Sequence, residues 1–254
     1  MKLISNKKDL QAWFDYDKTF RPVDTRLPDS IRSVLNKTDG FLFPSHCEED
    51  LLEEIFIDVL TKMQPAFMLD EFCKPVIKKM IQYCRGESDL NHQKGLLLMG
   101  GVGSGKTLLM RGYNKFICQF RNDAVYFYPG YSEVATYNLV SGFAQYGYEI
   151  FNKEITGIFN NQSKRVTANV TVRLLNCNLF IDDIGSEDTT AFYGNSTNVV
   201  YILLLRRYDD LKYKTYGTTN LDANALRSYY GDRVFSRMKE MFNVIYLQGG
   251  DRRK

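Results

Sequence analysis

Residues 100–107 read Gly100-Gly101-Val102-Gly103-Ser104-Gly105-Lys106-Thr107. The string satisfies GxxxxGK[ST], and it constrains the chain more than any other feature. Its glycines let the backbone curl until successive N–H groups face one anion. Lys106 supplies positive charge to β and γ phosphates, and the Thr107 hydroxyl is a Mg²⁺ ligand. A helix opening at Leu108 adds the positive end of its dipole. The expected nucleotide contacts are therefore Gly101, Val102, Gly103, Ser104, Gly105, Lys106, Thr107 and Leu108. Average residue frequencies give such a pattern in roughly one random chain of a hundred. Here the flanks also fit, with the apolar run Leu96 to Met99 before the loop and a helical pattern from Leu108 to Phe120 after it.

From that point the chain alternates short apolar strands with helices. Strands are expected at Leu96–Met99, Ala124–Tyr128, Asn178–Ile181, Lys214–Thr218 and Asn243–Leu247. Such an order argues for a parallel sheet covered by helices. Upstream the pattern is different. Five of the six prolines precede the loop, and residues 1 to about 45 show no long periodicity. Leu51, Leu52, Ile55, Phe56, Val59, Leu60 and Met63 then share one helical face. Glu48, Glu49 and Asp50 stand at the start of this helix, where carboxylates suit the dipole. Packing on its own domain and docking of a partner are both open to that face. A second helix is expected from Asp70 to Cys84, followed by a polar loop over 85–94.

Phosphoryl chemistry needs a second metal ligand and a group to orient water. Leu179-Phe180-Ile181-Asp182-Asp183 puts two acids at the end of an apolar strand, the edge where such sheets bind ligands. Asp182 is the expected Mg²⁺ ligand beside Thr107, and Asp183 the group that orients or deprotonates water. Thr218-Thr219-Asn220 ends the next strand, and Asn220 there can reach a γ-phosphate or the attacking water. Arg233 and Arg237 lie four apart and share a helix face. An arginine offered to a neighbouring subunit's nucleotide would stabilise charge developing in phosphoryl transfer. Lys106, Asp183, Asn220 and one of Arg233 and Arg237 are thus the expected catalytic groups. A small-molecule kinase would also use the loop, but it gives the Thr-Thr-Asn and Tyr-Gly-Asp-Arg strings no role.

Composition adds little to this. The 254 residues are 44% hydrophobic and 25% charged, with a formal net charge of +3, as in a globular protein with no strong bias toward nucleic acid. No apolar stretch is long enough for a signal peptide or a membrane span, so a cytoplasmic protein is expected. The five cysteines, Cys47, Cys73, Cys84, Cys118 and Cys177, form no CxxC pair and read as reduced thiols. A zinc site from Cys47, Cys73, Cys84 and His46 or His92 fits no ligand spacing.

Taken in order, Gly100 to Thr107, Ile181-Asp182-Asp183-Ile184-Gly185, Thr218-Thr219-Asn220-Leu221 and Tyr230-Gly231-Asp232-Arg233 with Arg237 resemble the AAA+ ATPases of the DnaC/DnaI helicase-loader group, which includes the IstB transposition ATPases. The resemblance covers roughly residues 68–254. It implies an α/β P-loop NTPase fold with a five-stranded parallel sheet between helices. It implies Asp182 and Asp183 as the Walker B pair, Asn220 as sensor 1 and Arg237 as the arginine finger. Arg253 fits the group's terminal arginine motif best, with Arg252 the alternative. No helical lid is expected after the last strand. Residues 1–67 would form a small, mostly helical partner-binding region, and 68–254 the ATPase domain. The implied cofactors are ATP and Mg²⁺, in a homo-oligomer with composite sites. The chain departs from the pattern in two places. Asp183 stands where many AAA+ proteins have glutamate, and the N-terminal region lacks the cysteine-rich zinc pattern of some loaders.

Residues 129–173 form a long insertion carrying Tyr131, Tyr137, Phe143, Tyr146, Tyr148, Phe151 and Phe159, with Lys153, Lys164, Arg165 and Arg173. Aromatic faces beside basic groups suit single-stranded nucleic acid, and aromatics also pack helices. Arg206 and Arg207 are open to a subunit-interface role or a helix-capping one. The leading functional expectation is a loader of the replicative helicase in replication initiation, on single-stranded DNA. The alternative is an IstB-like transposition regulator that assembles on duplex DNA and recruits a transposase. A non-catalytic ATP switch fits less well, because Asp183, Asn220 and Arg237 are all retained.

Overall fold

The computed structural model describes residues 3–9, 44–120, 130–152, 155–156, 171–172, 174–188, 190–192, 195–209 and 213–252. Two compact units emerge, one of residues 1–92 with 108–130, the other of 93–107 with 131–254.

The first unit is helical where it is described. Helix α1 (Glu49–Met63) buries Leu51, Leu52, Ile55, Phe56, Val59 and Leu60, the face expected from periodicity. Helix α2 (Cys73–Arg85) opens on Asp70, whose carboxylate accepts from the backbone N–H groups of Phe72 and Cys73. Pro75 falls in its first turn, where the missing N–H costs nothing. The helix stops at Gly86, which takes the left-handed conformation at φ 79°. The body of helix α3 (Lys106–Cys118) belongs to the same unit. Phe56 of α1 stacks on Phe116 at 5.2 Å and meets Tyr113 at 6.0 Å. A Cβ at Gly112 would overlap Leu60, so the two helices approach closely only because residue 112 is glycine. The apolar face of α1 is therefore spent on its own unit. Each such side chain contributes roughly 1.5–3 kcal/mol by burial. Burial also pushes the Cys47 and Cys84 thiols up to about 12, which keeps them protonated at neutral pH.

The second unit is built on a five-stranded, all-parallel sheet: β1 (Gly95–Met99), β2 (Ser132–Ala135), β5 (Leu179–Asp182), β8 (Thr215–Thr219) and β9 (Phe242–Tyr246). The strand order is β2-β5-β8-β1-β9. Two small hairpins, β3 (Ile155–Thr156) with β4 (Thr171–Val172) and β6 (Thr190–Phe192) with β7 (Asn195–Thr197), lie outside the sheet. Helices α4 (Thr136–Tyr146), α5 (Val199–Asp209) and α6 (Ala223–Met241) share a core with Leu97, Met99, Leu179 and Ile181 of the strands. Every residue of β1, β5 and β8 is buried, as parallel strands require. β8 reads Thr-Tyr-Gly-Thr-Thr and is far from apolar. It is tolerated because Gly217 leaves room for Ile184 and Leu97, where a Cβ would overlap both.

Four of the five strands stand within a residue of expectation. The strand beside β5 is Ser132–Ala135, and the expected Ala124–Tyr128 lies outside the described residues. Among the described residues, no helix is long and apolar enough to cross a membrane.

Candidate nucleotide site

Three parallel strands deliver the site to one sheet edge. β1 runs into the glycine loop, β5 ends on Asp182 and β8 ends on Thr219. The register places Leu98 opposite Thr218 and Ile181 opposite Gly217, so the three C-terminal ends are level. Gly100 is anchored by donating its N–H to the Thr219 carbonyl at 3.2 Å. Gly103 and Gly105 have φ of 73° and 96°, a region closed to most side chains. A Cβ at Gly100 would overlap the Leu247 carbonyl, so the loop is as close to the backbone after β9 as glycine permits.

Lys106, the first residue of α3, is 5% exposed despite its charge. Its Nζ donates to the carbonyls of Gly100 (3.0 Å) and Gly101 (2.7 Å) and to Asn220 Oδ1 (2.7 Å). The cation thus ties the loop to the residue that follows β8. Thr107 Oγ1 donates to Asp182 Oδ1 at 2.8 Å. Lys106 with Asn220, 114 positions apart, and Thr107 with Asp182 form two hydrogen-bonded pairs carried by adjacent residues of α3.

The sequence reading omits a residue that fixes Asp182 and the turn after it. Thr218 is fully buried; its hydroxyl donates to Asp182 Oδ1 (2.6 Å) and accepts from the Asp183 backbone N–H (2.9 Å). Asp183 itself has φ 61° and is the one non-glycine residue with positive φ among those described. Its carbonyl accepts from Ser186 Oγ (2.7 Å) and Thr136 Oγ1 (3.3 Å), which pins the turn.

The turn after Asp183 holds a second omitted residue. Glu187 is 4% exposed, and its carboxylate accepts from Gly185 N (2.8 Å), Asn198 Nδ2 (3.2 Å) and the Tyr230 hydroxyl. Burial pushes its carboxyl above the ordinary range, although these donors pull the other way. Burial, and then the same carboxylate, raises the Tyr230 phenol strongly.

Arg237 stands elsewhere. Its described contacts are the ring of Tyr208 on α5, 4.9 Å from the guanidinium carbon, and the Arg233 carbonyl at 3.3 Å. Neither contact involves the glycine loop. Arg233 is exposed. Of the terminal arginines, Arg253 lies outside the described residues. Arg252 reaches the loop, donating its N–H to the Gly103 carbonyl (3.1 Å) and Nη1 to the Ser104 carbonyl.

Arg207 neither caps α5 nor faces outward. It is 2% exposed and donates to Thr215 Oγ1 and to the carbonyls of Leu174, Cys177 and Lys214 at 2.5–3.0 Å. Arg206 lies over the Phe151 ring at 4.5 Å. The aromatics of the insertion divide. Tyr131, Phe143 and Phe151 are buried, whereas Tyr137 and Tyr148 are 73% and 50% exposed. Phe159, Lys153, Lys164, Arg165 and Arg173 lie outside the described residues.

The donor set fits a magnesium nucleotide. Gly103 and Gly105 take the positive φ that lets the loop curl, Lys106 supplies the cation, and a hydroxyl and a carboxylate converge where a hard divalent ion would be held. This is the α/β fold of a P-loop NTPase. Solved structures similar to the chain include the DnaC helicase loader (18% identity, 73% of this chain and 96% of that one, TM-score 0.47). DnaI is similar at 20% identity over 79% and 93% of the two chains, with a TM-score of 0.43. DnaA from Aquifex aeolicus, bound to AMPPCP, is similar at 15% identity over 72% and 48%, with a TM-score of 0.42. These likenesses concern the fold. No protein-family model and no curated protein matches the chain.

Proposed function

We propose that this chain binds ATP with Mg²⁺ and hydrolyses it at sites shared between neighbouring copies, as a loader of the replicative helicase on single-stranded DNA. The observation that carries the ATPase reading is the meeting at one sheet edge of two bonded sets, Lys106 with Asn220 and Thr107 with Asp182 and Thr218. Thr107 and Asp182 would hold Mg²⁺, which when bound neutralises charge on the phosphates. Lys106 sits where it can exchange loop carbonyls for phosphate oxygens. Asp183, at the end of the same strand, is the group to orient or deprotonate water. Asn220, already bonded to Lys106, is placed to sense the terminal phosphate. Arg237 bonds within its own helix and stacks on Tyr208, which favours donation to a second copy over service at its own loop.

The loader reading rests on the motif order and on two exposed tyrosines. Tyr137 and Tyr148 are large aromatics at the surface of the insertion, and stacking on such rings is worth about 1–3 kcal/mol per base. In this reading residues 1–67 grip the partner and 68–254 form the ATPase domain.

The test is ATPase rate and assembly state without DNA, with single strands and with duplex. Stimulation and assembly on single strands are expected, and Lys106→Ala removes both while leaving the fold intact. A preference for duplex would transfer the chain to the transposition-regulator reading. Absence of hydrolysis in all three would overturn the enzyme.

A further inference from the structure

Glu187 belongs to none of the motifs, yet three elements converge on it. Oε2 accepts from Gly185 N and so closes the turn that carries Asp183. Oε1 accepts from Asn198 Nδ2, while Asn198 Oδ1 accepts from Tyr201 N in the first turn of α5. Oε1 also accepts from the Tyr230 hydroxyl, and the Tyr229 hydroxyl donates to the Glu187 carbonyl. Tyr230 directly precedes Gly231, whose φ of 75° and ψ of 166° break α6 in two. Arg233 and Arg237 are on the second half. Tyr208, the ring beneath Arg237, is on α5. One carboxylate therefore fixes the turn after Asp183, the start of the helix under Arg237, and the break from which the Arg237 segment departs.

We propose that Glu187 is a positioning residue that holds Asp183 and Arg237 in place together, so that one clasp serves the nucleotide site of its own subunit and that of the neighbour. This rests on the shared-site reading above. The physical case is geometric. An isolated buried carboxylate is costly, and here three donors to the side chain offset that cost. Replacing the carboxylate by an amide turns one accepting oxygen into a donor that faces other donors. The turn or the helix break must then move. A displacement of about 1 Å at a catalytic group costs on the order of 100-fold in rate.

The experiment is complementation in mixed assemblies, measured as ATP hydrolysis with Mg²⁺ and a single-stranded oligonucleotide. Glu187→Gln alone should hydrolyse roughly 10–100-fold more slowly while retaining ATP binding. The control mixture of Asp183→Asn with Arg237→Ala should recover activity that neither has alone, because some interfaces join an intact loop side to an intact arginine side. Glu187→Gln should fail to recover activity with either of those variants, since it impairs both sides. Tyr230→Phe removes one donor without adding one, and should show the same failure with a smaller loss. Recovery of Glu187→Gln with Arg237→Ala would show that the arginine side is untouched; recovery with Asp183→Asn would show the same of the loop side. Either recovery overturns the proposal, as would a wild-type rate for Glu187→Gln. A control mixture that stays inactive overturns the shared site itself, and the proposal with it.

Discussion

Asp183 shows how a single backbone angle bears on residue choice. At φ 61° a residue pays for contact between Cβ and the following carbonyl, and aspartate tolerates the region better than longer side chains do. The turn after β5 therefore has a backbone reason to carry aspartate where a glutamate is common in proteins with the same motif order. Replacing it by glycine separates the two demands. Asp183→Gly should keep or raise thermal stability, by up to about 1 kcal/mol, and keep ATP binding. Hydrolysis should fall by about 100-fold or more, the typical worth of a positioned proton acceptor. A glycine variant that melts earlier than wild type would show that the side chain, not the angle, dominates the turn. Thr218 makes the complementary case. Thr218→Val keeps the shape but strips a bond from Asp182 and leaves the Asp183 N–H without its acceptor. The expected cost is about 1–3 kcal/mol, read by denaturant unfolding, together with weaker Mg²⁺-dependent nucleotide binding.

At the scale of elements, Arg207 replaces what a hydrophobic plug would do elsewhere. Its guanidinium gathers carbonyls from the segment before β5 and the entry to β8, where the Lys214 carbonyl also accepts from the Leu179 N–H of β5. Arg207→Met would strip the guanidinium's bonds from these buried carbonyls and should cost on the order of 3 kcal/mol, measured by chemical unfolding. Glu187 gives the fold a pH dependence of definite sign. Burial holds its carboxyl above the ordinary carboxylate value, so between the two values the folded chain keeps a proton that the unfolded chain has released. The resulting stability is complete below the ordinary value and is lost as pH rises through the folded one. Its titratable neighbours are Tyr229, Tyr230 and Asp188. Glu187→Gln removes the titration, so melting temperature of the variant minus that of wild type should increase with pH across the window.

These residues also mark where the sequence stops being legible. β1 and β5 are readable because their apolar runs are buried and end at turn-formers, and β9 because Phe242, Ile245 and the following Leu247 are buried just before Gly249 and Gly250. The strand next to β5 is Ser-Glu-Val-Ala, too short and polar to signal itself, and periodicity points instead to the more apolar Ala124–Tyr128. The glycine loop and Asp182 are local patterns and can be read directly. Thr218, Glu187 and Arg207 are ordinary residues until partners 36, 43 and 33 positions away define them. No spacing rule reaches that far. The fate of Tyr137 and Phe143 is likewise decided by which face of α4 they fall on, one exposed and the other buried.

At the scale of the whole molecule, the two halves of the proposed catalytic apparatus obey different logic. Lys106 bonds Asn220 and Thr107 bonds Asp182 within one chain, whereas Arg237 is bonded only locally among its described contacts. If hydrolysis needs both halves, the specific rate must depend on how much protein is assembled. Diluting the chain at saturating ATP should lower the rate per subunit, with the fall following loss of oligomer by light scattering. Arg237→Ala should bind ATP and assemble as wild type, yet hydrolyse about 1000-fold more slowly at every concentration, within the range such arginines contribute in trans. Arg233→Ala, on an exposed turn of the same helix, should change the rate much less. A specific rate that stays constant on dilution well below the assembly range would instead place a complete site in each subunit. Arg237 would then be an ordinary surface arginine held over a tyrosine, and the oligomer a platform for DNA with no part in the chemistry.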